Sequence, residues 1–334
     1  MTTGSNVESD AIKIAPKKIV RGIPCFEDSD YFYSEMSLEE TLELADLAAT
    51  LGWKKAVSEW RRSAFVRRYI TNTQRLLFLS ILPIKEGDRV LDVGAGWGNL
   101  AAQIAKGFPS SSVYATDKAL ERLFFAEQVK EQERLDNLRV IQSDITDLPF
   151  EKGFFDVVIM IGVLEWLGAS VKTMSPRAAQ ERGLKAIYDI MRPGGRLLIG
   201  IENRIGYHYF LGRADHSGRA FTSLMPRRVA DFYMGMRGER GGGERGKGDK
   251  GPYRTYTYSR GGYNQLLKQV GFKSVKFYAV LPDYRFPTDI CELDMLKQVA
   301  QHRATKSFPK PMLKLLPSGI IGALTPSFYM VAEK

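Results

Sequence analysis

From Ser37 onward, apolar residues recur at helical spacing. Leu38, Leu42, Ala45 and Ala49 share one face, and Ser37 with Glu40 completes a Ser-x-x-Glu capping box. A second helical stretch is expected over 54–82, mixing Trp60, Phe65, Tyr69, Leu76 and Phe78 with arginines and ending at Pro83 and Gly87-Asp88. Residues 1–36 show no such period and read as a flexible N-terminal segment, which makes 37–83 a helical cap. Over 84–202 the pattern alternates. Short apolar runs at 89–93, 113–116, 138–142, 156–161 and 196–201 read as strands, and 99–107, 119–135 and 176–191 as the helices between them. Such alternation predicts an α/β domain, with a parallel sheet and helices on both faces. Residues 203–260 form an insertion after the fifth strand. The segment 261–334 returns to the sheet, with a helix over 263–270 closed by Gly271 and strands over 273–281 and 327–333. Between those last strands lies an excursion with prolines at 282, 287, 309, 311, 317 and 326, a length that usually signals function or disorder.

The densest chemistry follows the first of the alternating strands, at Val90-Leu91-Asp92-Val93-Gly94-Ala95-Gly96-Trp97-Gly98-Asn99-Leu100. A buried strand runs into a glycine turn, and a helix begins at once. Glycine permits positive backbone angles and close ligand approach, and the first helical turn offers unpaired N–H groups to an anion. That anion is either a dinucleotide pyrophosphate or the carboxylate of a bound amino acid. The dinucleotide fingerprint requires a small residue at position 99, which here is Asn. Asp117 ends the second strand, where a carboxylate accepts both hydroxyls of a ribose. Ser143-Asp144-Ile145 follows the third, where a carboxylate suits an exocyclic adenine amine. Asp117 and Asp144 also fit as caps of the helices after them. The fourth strand leaves through Ile161-Gly162-Val163-Leu164-Glu165-Trp166, and Met191-Arg192-Pro193-Gly194-Gly195 turns the chain into the fifth.

In this order and spacing, residues 87–202 resemble the class I S-adenosylmethionine-dependent methyltransferases, and the resemblance resumes in the final helix and strands. It implies a Rossmann-like seven-stranded sheet whose last strand is inserted antiparallel, with S-adenosyl-L-methionine as cofactor. By motif position, Gly94, Ala95 and Gly96 would line the methionine end, and Asp92 would anchor the loop and the ligand's ammonium. Asp117 would hold the ribose and Asp144 and Ile145 the adenine, while Ile161 would border the site. Trp166 stands where many relatives carry histidine; it removes a base and supplies an aromatic face for adenine or for the sulfonium.

Methyl transfer demands alignment above all, and a base only where the acceptor must lose a proton, as a hydroxyl does. In this fold ligands meet at the carboxyl ends of the strands. The fifth strand leaves through Glu202-Asn203-Arg204-Ile205-Gly206-Tyr207-His208-Tyr209 and continues to Arg213-Ala214-Asp215-His216. His208 and His216 are the expected bases, with Asp215 as the neighbouring carboxylate and Glu202 as an orienting group. The run 253–258 alternates aromatic and basic residues, as a closing segment or a strand would, and Arg67, Arg68 and Tyr69 of the helical cap are expected to cover the cofactor.

Composition narrows the partners. The chain has 334 residues, 44% of them hydrophobic and 26% charged, which excludes a fibrous or wholly disordered protein. Cys25 and Cys291 are isolated, and the few histidines show no ligand spacing, so neither a disulfide scaffold nor a metal is expected. No run approaches the roughly 20 apolar residues of a membrane span, and the start lacks a secretory pattern, so a cytoplasmic location is expected. Of the net charge of +10, residues 203–260 carry twelve Lys and Arg against five Asp and Glu, or +7. That field favours an anionic partner, while 237–250 is rich enough in glycine to be a flexible loop. Together these features point to O-methylation of a small or medium metabolite, anionic or glycosylated. The Asn203-Arg204-Ile205-Gly206 start resembles bacterial methyltransferases of surface glycans and secondary metabolites. An N-methyltransferase, an RNA methyltransferase using the basic insertion as a phosphate clamp, and a non-catalytic cofactor-binding subunit are the alternatives. Lack of an Asn/Asp-Pro-Pro-aromatic motif speaks against nucleic acid.

Overall fold

The computed structural model describes residues 11–28, 35–236, 253–302 and 308–334. The expected flexible loop at 237–250 and the first ten residues lie outside the described residues. The chain divides into two compact units, one of residues 1–160, 182–197 and 333–334, the other of 161–181 and 198–332.

In the first unit the strands are β1 (Lys18–Val20), β2 (Ile23–Cys25), β3 (Arg89–Val93), β4 (Ser112–Asp117), β5 (Leu138–Gln142) and β6 (Phe155–Ile161), in the spatial order β1-β2-β5-β4-β3-β6. β3 pairs in parallel with β4 on one side and with β6 on the other, with Val90 opposite both Val113 and Val157. Four of the five β3 residues are buried, as the continuous run Val-Leu-Asp-Val requires of a strand covered on both faces. The chain steps from β3 to β4 to β5 in one direction and then returns to the far side of β3. The glycine turn leaves β3 at that reversal, where parallel sheets bind ligands. The rings of Tyr114, Phe150 and Phe155 pack edge to face beneath the sheet, with centroids 4.9–5.7 Å apart.

Two expectations for the N-terminal region fail. The segment before Ser37 is not structureless throughout: β1 and β2 form an antiparallel hairpin, and β2 adds to β5 through Cys25 opposite Gln142. Arg21 and Gly22 make its two-residue turn, both at positive φ (48° and 82°). A turn of that kind matches the twist of its strands but is unusual with arginine in the first position. Arg21 is held there by Asp46 at 2.8 Å and by the Phe124 ring. The helical stretch at 54–82 is three pieces, Trp53–Glu59, Ala64–Ile70 and a 3-10 turn over Gln74–Ser80. Ser63 restarts the chain by accepting the Val66 N–H, and Asn72 accepts that of Gln74, so polar side chains interrupt the helix with local bonds of their own. The helix Leu38–Leu51, with its Ser37–Glu40 capping box, forms as expected and packs on the helix Leu120–Glu133.

β7 (Met191–Glu202), like β6, contributes residues to both units. In the second unit it is followed in space by β10 (Ser327–Glu333), β8 (Ser274–Leu281) and β9 (Asp289–Glu292). Gly200 of β7 is required for packing, since a Cβ there would lie 2.7 Å from the Tyr329 ring. The described residues therefore hold ten strands where seven were expected, the additional ones being β1, β2 and β9. Alternation along 253–258 is present as buried Tyr253, Thr255 and Thr257, yet no strand forms. Side chains replace a ladder: Gln180 donates to the Tyr256 carbonyl at 2.8 Å, and Arg227 to that of Thr257. The excursion after β8 is folded in its described part, as β9 and the short helices Leu296–His302, Lys310–Leu315 and Ser318–Ala323.

Candidate active site

Gly94, Gly96 and Gly98 all adopt positive φ (70°, 56° and 73°), a region costly for a residue with a Cβ. Gly94 and Ala95 both donate to the Thr116 carbonyl, at 2.8 and 2.9 Å, pinning the loop to the end of β4. At Gly96 a Cβ would meet nothing within 4 Å, so this edge of the loop is open. At Gly98 it would sit 2.5 Å from the Ala126 Cβ, so the last glycine serves helix packing.

Asp117 ties two segments together, accepting the Gly96 N–H through Oδ2 and the Ala119 N–H through Oδ1, both at 2.9 Å. A carboxylate offers about four lone-pair positions, so capacity for ribose hydroxyls remains. Asp144 accepts from the Thr146 backbone and hydroxyl at 2.8 Å and from Lys118 at 3.0 Å. Burial opposes its ionisation, but the Thr146 bonds and Lys118 outweigh it and hold the carboxyl below its usual value. Ile145 is buried beside it. Asp92 lies beneath the loop, and burial lifts its carboxyl to about 7, against the opposing charge of Arg75.

Arg75 had no signal in the sequence pattern. Its Nη1 donates to Asn99 Oδ1 at 3.1 Å, its guanidinium lies over the Tyr69 ring, and its Nε is buried without a hydrogen-bond partner. Asn99 in turn donates to the Tyr69 carbonyl at 3.0 Å, so the helix Ala64–Ile70 is fastened to the start of the helix after the glycine loop. Tyr69 thus meets the loop, its ring 5.9 Å from that of Trp97.

The second unit assembles a different group. Glu202 ends β7, Glu165 lies in the turn after β6, and His216 comes from the loop beyond Glu202. His216 Nε2 is 3.1 Å from Glu202 Oε2 and 3.9 Å from Glu165 Oε1. The closer pair lies off the direction of a hydrogen bond, so both atoms, like Glu165 Oε2, have no hydrogen-bond partner. Tyr284, from the excursion after β8, donates to Glu202 Oε1 at 3.0 Å and approaches Glu165 Oε1 at 3.4 Å. Arg285 stands 3.9 Å from Glu202. Burial, reinforced by the charge of Glu202, raises the Glu165 carboxyl well above the carboxylate range. Burial acts the same way on Glu202, but His216 and Arg285 overcome it and hold it low. For His216 burial favours the neutral ring, and Glu202 and Glu165 outweigh it, so the pKa is raised.

The cluster corrects several expectations. Asp215 does not orient His216. It accepts from the Ser217 N–H and Ser223 hydroxyl at 2.7 Å and from the Tyr253 hydroxyl at 3.0 Å, so it is the centre of a turn, and Glu202 is the carboxylate against the histidine. His208 stands outside the cluster, its ring 4.0 Å from that of Tyr209; burial, aided by Arg213, depresses its pKa to about 4. Trp166 meets His216 edge-on, with centroids 4.7 Å apart, and Ile161 is buried against Gly200. Spacing alone shows no metal-ligating set, yet the fold brings Glu165, Glu202 and His216 together from three segments. Glu165 stood within the sequence motif after β6; Tyr284 and Arg285, far along the chain, carried no signal.

Three of the seven described arginines of the insertion are braces. Arg204 donates to the Ser223 and Met225 carbonyls at 2.7 and 2.8 Å, Arg227 to Thr257, and Arg254 to Gly168 and Val171. The cations of 237–250 lie outside the described residues. Among the described residues, no helix is long and apolar enough to cross a membrane.

Residues 84–208, which contain the glycine loop, Asp117, Asp144 and Glu202, match a family model described as a methyltransferase domain. This core belongs to the class I S-adenosylmethionine-dependent methyltransferases. It is similar to the demethylmenaquinone methyltransferase of Thermus thermophilus, 31% identical over 34% of this chain and 47% of the relative. It also resembles the trans-aconitate 2-methyltransferase of Deinococcus radiodurans, 30% identical over 36% of this chain and 41% of that one. An uncharacterised methyltransferase of Bacillus subtilis is 29% identical over 45% of this chain and 72% of its own length. The chain thus spans less than half the length of the first two relatives. Residues of the methyltransferase core fit S-adenosylmethionine. The loop edge at Gly96 is open, a buried carboxylate lies below it for an ammonium, and the orphaned Arg75 Nε suits a carboxylate. Asp117 ends β4 and Asp144 follows β5, the strand ends that would flank ribose and adenine.

Proposed function

We propose that the protein transfers a methyl group from S-adenosylmethionine to a hydroxyl oxygen of a small or medium anionic metabolite. One observation carries the reading: at the end of β7, His216 faces Glu202 at 3.1 Å inside a buried group that also holds Glu165. A hydroxyl must lose its proton as it attacks, whereas a carbanion or a free amine already has its electron pair available. When bound, the cofactor supplies a methyl group already activated on a sulfonium. Asp117 and Asp144 hold its adenosine, and Asp92 and Arg75 its amino-acid end. In the second unit His216 receives the hydroxyl proton, and Glu202 stabilises the resulting imidazolium. Trp166 packs against the ring and limits its rotation. Arg213, exposed on the same loop, supplies a cation for an anionic acceptor. Arg204, Arg227 and Arg254 are committed to backbone carbonyls, so these three do not serve as a phosphate clamp.

A panel of anionic acceptors bearing hydroxyls or amines, assayed with labelled cofactor, tests this. The expected product is O-methylated, with kcat/KM rising with pH as His216 loses its proton, at a midpoint above the ordinary 6.5. His216→Ala is expected to lower turnover by about 10²- to 10⁴-fold at unchanged cofactor affinity. Transfer confined to amines or carbon, with normal turnover by the variant, overturns the reading. A KM that climbs steeply with salt would instead favour a nucleic-acid acceptor.

A further inference from the structure

We propose that Glu165, Glu202 and His216 bind one divalent first-row transition cation, of the manganese or zinc type, with coordination positions left open. Their three ligand atoms all lie within 4.8 Å of one another. Bonds from such a cation to imidazole nitrogen or carboxylate oxygen are about 2.0–2.2 Å, so donors around one ion stand roughly 3–4 Å apart. The 3.1 Å from His216 Nε2 to Glu202 Oε2 falls in that range, and Glu165 brings its other oxygen, Oε1, to 3.9 Å from the same nitrogen.

A second, independent observation comes from the unused atoms. Glu165 is fully buried, yet its Oε2 has no hydrogen-bond partner, and neither do Glu202 Oε2 and His216 Nε2. Buried polar groups are ordinarily satisfied, and orphans gathered at one point call for an ion or a water. Tyr284 engages the Oε1 atom of each carboxylate and leaves both Oε2 atoms free, as an outer partner does when it orients metal ligands. Arg285 stands 3.9 Å from Glu202 Oε1. The donor set also selects the ion. One imidazole with two carboxylates suits manganese, iron, cobalt or zinc, whereas calcium prefers oxygen alone and a larger shell.

Three protein ligands leave room for the acceptor. In that role the proposal rests on the hydroxyl reading above. The acceptor oxygen coordinates through a lone pair, its O–H bond breaks, the electron pair stays on oxygen and the proton passes to bulk water. His216 then acts as a ligand, and the cation lowers the acidity barrier that a lone base would otherwise have to meet. Binding of the cation itself needs no acceptor, so the two ideas can fail separately.

The full chain, stripped with a chelator, is titrated without acceptor using manganese(II), followed by its electron-spin signal, and zinc(II), in competition with a chromophoric chelator. One cation per chain is expected. Tyr284→Phe is expected to weaken it by about 10- to 100-fold. Glu165→Gln, Glu202→Gln and His216→Ala should weaken it more, while Asp215→Asn leaves it unchanged. Far-UV circular dichroism and the denaturant midpoint of each variant, compared with the unsubstituted chain, verify that the second unit is folded. Stoichiometric binding lost with the ligand variants supports the proposal, even if turnover proves metal-independent; that result would sink the hydroxyl-activating role alone. No binding of either cation, or binding indifferent to Glu165→Gln and His216→Ala, overturns it, and turnover that still required His216 would leave the base reading standing.

Discussion

Replacing Asp92 by Asn removes a carboxylate that the folded chain keeps protonated up to about pH 7. An unfolded aspartate ionises near 3.8. Between those values the native state holds one proton more than the unfolded state, so stability falls as pH rises, by about 1.36 kcal/mol per unit. Asp92 is only 3% exposed, so solvent screening removes little of this. Across the window of about three units the loss amounts to about 4 kcal/mol, absent below pH 4 and complete above pH 7. Asp92→Asn is nearly isosteric and lacks the titration. Denaturant unfolding of both proteins between pH 5 and pH 8 should therefore show the variant gaining on the wild type as pH rises, by about 2–4 kcal/mol at the alkaline end. A ligand ammonium beside Asp92 favours the ionised form, so cofactor binding to the wild type at pH 6 should release a proton that binding to the variant does not. Calorimetry in buffers of different ionisation enthalpy measures that proton. Parallel stability profiles for the two proteins, with equal proton release, would refute the argument, since a buried carboxyl of raised pKa cannot be silent in both.

Gly98→Ala places a methyl group 2.5 Å from the Ala126 Cβ at a φ of +73°, and should lower stability by about 2–4 kcal/mol in denaturant titration; a shift under 0.5 would contradict the packing role. Asp117→Ala should abolish S-adenosylhomocysteine stabilisation in a thermal scan, because the side chain also anchors the Gly96 N–H. At 100 times its dissociation constant a ligand contributes about 2.7 kcal/mol, so retained stabilisation would be visible and would remove Asp117 from the cofactor site.

Much of the methyltransferase core was legible along the chain because its signals are local. The strands 89–93, 138–142 and 327–333 occur where the apolar runs place them. So do the Ser37–Glu40 box and the glycine turn, each set by residues a few positions apart. Prediction of the β1–β2 hairpin failed because its turn uses arginine where glycine or asparagine is usual, and the contact that permits this, with Asp46 and Phe124, lies in other helices.

Reading the candidate base from sequence proximity chose Asp215 for His216. Neighbours in a turn point apart, however, and Asp215 spends its oxygens on Ser217, Ser223 and Tyr253. Backbone periodicity and turn chemistry thus determined, from the sequence alone, where the strands of the methyltransferase core lie and where the cofactor loop sits. Tertiary structure alone decided which charges meet. Glu165, Glu202, His216 and Tyr284 come from four separate segments, and Arg75 reaches Asn99 from a different helix. Side-chain pairs of that kind are selected by how elements pack and by the need to compensate buried charge, and neither leaves a period in the chain.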